Sequence, residues 1–235
     1  MVATATNLQQ LVQKGWVWQG QQTPLQKAST DFLDSGWPEL NAQLGGGWLR
    51  GSVNEIQIEV GFRGELGLVL PLLQRSNERP HVWVNPPAQP YAPGLQSQGL
   101  VPQQQWCIQE TDHTKALWAM EQCIQSQSVG LILAWLPQLN AAQVRRLQQV
   151  TEQAQQLVFI FTDCQQEPEA RAYVNRLRLH WQDELQIEVL KRRFGWPLPP
   201  FPCALQRLFP ERRLVKKPAH NSTSHAVTGT TRLVL

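Results

Sequence analysis

Gly61-Phe62-Arg63-Gly64-Glu65-Leu66-Gly67 is a glycine-rich turn between an extended apolar run and a helix-like one. Strand, glycine turn and helix is the local order of a phosphate-binding loop. In such a loop backbone amides cradle the phosphates, a lysine reaches the β and γ oxygens, and a hydroxyl holds Mg²⁺. Where the lysine and the hydroxyl belong, this chain has Glu65 and Leu66. A carboxylate about 4 Å from one phosphate charge costs roughly 4 kcal/mol at an effective dielectric of 20, where a lysine gains as much. Leucine offers no oxygen to a metal. Gly61, Gly64, Glu65 and Leu66 therefore read as a degenerate phosphate loop whose glycines let a strand turn tightly into its helix. Neither a nucleotide cofactor nor a metal is expected there, and no enzymatic turnover.

Other catalytic chemistry has no better footing. His81, His113, His180, His220 and His225 are scattered without metal-ligand spacing. Asp112-His113 reads as a helix cap followed by a polar residue. There is no nucleophile elbow of the Gly-x-Ser-x-Gly kind and no Cys-His pairing. Cys107, Cys123, Cys164 and Cys203 form no metal spacing and read as reduced structural thiols.

What remains is binding. Lys191, Arg192 and Arg193 form one basic run, and Arg207, Arg212, Arg213, Lys216 and Lys217 another; both are candidates for contact with a partner. Arg145-Arg146 is a third short run, which reads first as a solvated helix face. The stretch from Asp163 to Glu169 is acidic, which repels DNA and disfavours recombinase-type filaments on it. Trp16, Trp18, Trp37 and Trp48 are dense for one segment, a pattern that suits core packing and interface anchoring equally.

The elements that must position these residues follow from hydrophobic period. The chain of 235 residues, 42% hydrophobic and with net charge +3, is long enough to bury a real core. Its N-terminus has no basic-then-apolar leader pattern, and no run approaches the ~20 apolar residues that span a bilayer, so the expectation is a cytoplasmic protein. Strands are expected over Val53–Val60, His81–Asn85, Trp106–Gln109, Val129–Leu136 and Leu157–Phe161. Helices are expected over Glu65–Gln74, His113–Gln127 and from an Asn140 cap to Gln155. Gly45-Gly46-Gly47 is expected to be a turn. The alternation predicts an α/β fold: a mainly parallel sheet flanked by helices. Tyr173–Trp181 and Leu185–Arg193 lack a helix between them and are expected to form a late antiparallel hairpin at one edge. The organisation read from composition is an N-terminal helix and linker (1–30), the α/β domain (31–206) and a basic, flexible tail (207–235).

Several ordered motifs then stand together: Leu44-Gly45-Gly46-Gly47, Asn54-Glu55-Ile56, the glycine loop, Asn85-Pro86-Pro87, Gly130 to Trp135, Ala170 to Leu179, and Val189 to Arg193. In that order they resemble the RecA-like core. The wording Trp37-Pro38-Glu39-Leu40, Gly45-Gly46-Gly47-Trp48, Gly64-Glu65-Leu66, Tyr91-Ala92-Pro93, Leu117-Trp118, Arg145-Arg146-Leu147-Gln148 and Leu190-Lys191-Arg192-Arg193 is similar to that of the ImuA family of SOS-mutagenesis accessory proteins, related to the division inhibitor SulA. The resemblance implies that Pro87 stands near the place of the catalytic glutamate, and that Ala134 or Trp135 replaces the Walker B aspartate. It implies a non-catalytic adaptor in damage-induced translesion synthesis, with RecA, an ImuB-like Y-family protein and an error-prone polymerase as partners, and leaves DNA contact open. A SulA-like inhibitor that binds the septal tubulin-like GTPase is the alternative.

Overall fold

The computed structural model describes residues 31–59, 64–137, 139–164, 171–181, 185–193 and 195–205. The expected N-terminal helix with Trp16 and Trp18, and the basic residues Arg207, Arg212, Arg213, Lys216 and Lys217, lie outside the described residues.

A two-residue strand, β1 (Phe32–Leu33), leads to α1 (Pro38–Leu44), which starts on a proline where a missing N–H costs nothing. Gly45, Gly46 and Gly47 follow with φ of 76°, 133° and 123°. Side chains avoid such angles, so the triple glycine is the turn its sequence predicts. It returns the chain to β2 (Trp48–Leu49), antiparallel to β1. Trp37 and Trp48 are both core residues: the Trp37 indole donates to the Leu68 carbonyl at 3.1 Å, and Trp48 meets Phe159 edge-on at 4.7 Å.

The main sheet then alternates with helices: β3 (Ser52–Ile58), α2 (Glu65–Arg75), β4 (His81–Val84), α3 (Ala92–Ser97), β5 (Gln105–Ile108), α4 (His113–Ser126), β6 (Leu131–Trp135), α5 (Ala141–Ala154), β7 (Leu157–Asp163), β8 (Asn175–Trp181), β9 (Leu185–Lys191) and β10 (Leu198–Pro202). Eight strands make one sheet in the order β10-β9-β8-β3-β7-β6-β4-β5. Every neighbouring pair from β8 to β5 is parallel, and β9 is antiparallel to both β8 and β10. The fold is therefore the mixed α/β one, with a mostly parallel sheet and an antiparallel hairpin among its late strands.

That hairpin does not itself form the edge. The sheet continues into β10, which the sequence hides behind Pro199, Pro200 and Pro202. Proline donates no ladder hydrogen bond, so it is tolerated at a sheet margin and disguises a strand there.

Strand alternation sends Val53, Val82, Val84, Ile132, Ala134, Val158 and Ile160 to one face, where they pack with Ala116, Met120 and Ile124 of α4 and Val144 and Leu147 of α5. Local signals start both helices. The Asp112 carboxylate accepts the amides of Thr114 and Lys115, and Asn140 forms a capping box with Gln143. No helix among the described residues is long and apolar enough to cross a membrane.

Candidate functional site

The expected phosphate loop enters α2. Gly61 lies outside the described residues, while Gly64 is the residue that caps the helix. Gly64 has φ of −153° and ψ of 0°, outside the left-handed region that favours glycine, so no positive φ accounts for a glycine at this position. Glu65 is buried, and its side chain folds back so that Oε2 accepts the Gly64 N–H at 3.0 Å. A helix N-terminus presents unpaired amides and the positive end of the helix dipole, which is why phosphates bind there. Here the chain supplies an anion of its own. Leu66 follows, half-buried and without a metal-binding oxygen.

The position expected to lack a Walker B acid ends β6. Ala134 is buried under α4 and α5. Trp135 turns to the opposite face and stacks between Trp83, at 5.8 Å and 11°, and Phe161, at 4.8 Å and 22°. At the end of β6 the chain thus carries a stacked indole and no carboxylate. After β4, Asn85 adopts φ of 50° and its side chain clamps Glu110, donating to the carbonyl and accepting the N–H, each at 2.8 Å. Pro87 beyond it is exposed.

Between the sheet centre and its antiparallel half runs a charged ladder that the motif reading missed. Glu55 of β3 is fully buried and receives Arg176 Nε of β8 at 2.5 Å. Thr162 and Gln57 lie 3.4 Å from the same carboxylate. Farther along, Arg178 donates to Gln57 at 3.1 Å and pairs with Glu188 at 3.2 Å, and His180 lies 3.0 Å from Glu188 and 3.5 Å from Glu59. The signal was in the sequence as strict alternation, Arg176-Leu177-Arg178-Leu179-His180, which marks one polar and one apolar strand face. Tyr173 abuts this ladder, and burial, followed by the Glu55 charge, pushes its phenol well above the usual range.

Lys191, Arg192 and Arg193 are brought together at the other end of the ladder. With Gln148 and Glu152 of α5 and Tyr173 they line a cleft of about 270 Å³. Lys191 Nζ donates to the Arg171 carbonyl at 2.7 Å; burial first, and the Arg176 charge second, lower its pKa. Arg192 donates to the carbonyls of Gln43 at 2.6 Å and Trp196 at 3.0 Å. Of the Arg145-Arg146 run, Arg146 pairs with Glu121 of α4 at 2.7 Å.

Among the described residues no group of His, Cys, Asp and Glu could hold a metal ion. The four cysteines are free. Burial raises all four thiols, Cys203 up to about 12, so none is poised as a nucleophile.

No curated protein matches the chain. The ImuA side of the resemblance rests on its wording in the sequence. The family model of the cell division inhibitor SulA matches residues 51–158, from the start of β3 into β7, and so bears out the SulA side of the resemblance over that stretch.

Proposed function

We propose that the chain is a non-catalytic, RecA-like accessory protein of the SOS DNA-damage response, an adaptor for error-prone translesion DNA synthesis. The observation that carries this reading is the Glu65 carboxylate seated on the Gly64 amide, with β6 ending on Trp135 and not on an acid. An anion already at the helix start repels the γ-phosphate electrostatically and competes for its amide. Such a body offers a RecA-shaped surface without a nucleotide-driven switch. Its partners are then RecA, an ImuB-like Y-family protein and an error-prone polymerase. The ImuA-type wording at Trp37 to Leu40 and Leu190 to Arg193 falls outside the SulA-matched residues, on both sides of them.

The match over 51–158 favours a second reading, a SulA-like inhibitor acting on the septal tubulin-like GTPase. Genetics separates the two. For an adaptor, deletion lowers damage-induced mutation and overproduction leaves division untouched. Filamentation on overproduction, together with direct inhibition of GTPase polymerisation by the purified protein, would establish the inhibitor instead. ATP turnover above background in a coupled assay would overturn the non-catalytic part of either reading.

A further inference from the structure

We propose that the cleft between α5 and the end of β9 is a docking site for an acidic, partly apolar protein segment, whose carboxylate enters beside Lys191 and Arg193 while an apolar side chain packs on Trp196. The proposal deepens the adaptor reading, on which it rests for its biological role. Three features point to it.

The first is charge. The cleft is lined by Lys191, Arg192 and Arg193 against one acid, Glu152. Lys191 is half-buried at its wall, with Nζ donating to the Arg171 carbonyl at 2.7 Å, so its charge is fixed in place there. An incoming carboxylate meets these cations in a partly water-excluded space, where Coulomb attraction is stronger than in bulk.

The second is construction. Arg192 is a strut as well as a charge, bonded to Gln43 on one side and Trp196 on the other, and bridged to Gly195 in an antiparallel pair. A Cβ on Gly195 would stand 2.4 Å from Arg192 Nε, so only glycine lets the guanidinium lie against this backbone. Trp196, whose backbone carbonyl accepts from Arg192, has 73% of its surface exposed. An exposed indole on a residue bonded to the cleft's Arg192 gives this surface the composition of a protein-binding hot spot.

The third is the shape of the charge. Nucleic acid presents a negative charge about every 1.7 Å of duplex axis. Glu152 on the wall opposes such a continuous polyanion, whereas a peptide can space its carboxylates to avoid it. The Gln148 amide is already committed, accepting the Val53 N–H at 2.8 Å and donating to Gly51 at 2.9 Å, so it reads no base edge.

Fluorescence anisotropy on the full chain tests the site, with a fluorescein-labelled peptide of alternating Glu and Leu as the probe. A Lys–Leu peptide, a Glu-only peptide and a single-stranded oligonucleotide serve as comparisons. The Glu–Leu peptide is expected to bind most tightly, with Arg193→Glu and Trp196→Ala each weakening it about tenfold while thermal unfolding stays unchanged. Equal binding of the Lys–Leu or Glu-only peptide, tighter binding of the oligonucleotide, or indifference to both substitutions would overturn the proposal. Failure of the adaptor role itself would appear separately, as unchanged induced mutation in a deletion strain whatever the peptide result.

Discussion

Arg176 and Glu55 form an ion pair at 2.5 Å with both side chains buried. Removing the guanidinium leaves a fully buried carboxylate without its main partner. Arg176→Met is therefore expected to lower stability by about 3–5 kcal/mol, whereas adding Glu55→Leu should recover much of that loss, since an apolar pair carries no desolvation cost. Urea denaturation of the two variants decides it; equal losses would mean that the pair is not coupled. His81 gives a pH dependence. It is buried in β4, between Ser76 at 2.9 Å and Gln105 at 3.2 Å, and burial lowers its pKa from 6.5. The unfolded chain then binds the proton more readily than the folded one, so stability is fully present above 6.5 and declines as pH falls below it. Gln at position 81 keeps a polar contact without titrating, and its stability curve should be flatter between the neutral range and about pH 5. At this scale the sequence has Glu65 and Leu66 where a phosphate loop carries a lysine and a hydroxyl. It could not show that the carboxylate turns back onto the Gly64 amide, because that depends on side-chain torsions and on the space left by α2.

The elements were more legible than the contacts between them. The helices α2, α4 and α5 carry apolar periodicity, and two of them carry their own start signals, so their existence was readable from residues alone. Asn140→Ala should cost about 1 kcal/mol, because it removes the acceptor for Gln143 N–H and breaks the reciprocal box; a loss of thermal stability too small to measure would show that packing alone fixes this helix start. Strand β10 was unreadable for the converse reason: proline-rich composition imitates a loop, and only the neighbouring β9 edge turns it into a strand. Helix α3, six residues long, has no buried face to leave a periodic trace. The basic run Lys191 to Arg193 was visible as charge, yet the cleft was not, since its other wall comes from α5, some forty residues earlier in the sequence.

Strand order has consequences for the whole molecule. The centre of the sheet, β3, lies between β7 and β8, pairing Ser52 with Leu157 and Asn54 with Asn175. The SulA-matched stretch 51–158 stops two residues into β7 and lacks β8 altogether. A fragment cut to that match should therefore fail to show a cooperative thermal transition, while one running to Leu205 should keep it; a cooperative fragment 51–158 would mean that β3 has partners other than these. The same arrangement sets a clock during synthesis. At about 5–20 residues per second, β3 leaves the ribosome roughly 5–20 s before its first neighbour in the sheet does. Throughout that interval Val53 and Ile56, destined for full burial, have no strand to lie against. The protein should therefore lean on holdase chaperones while it is being made, and slowing its translation should lower its soluble yield even with every residue unchanged.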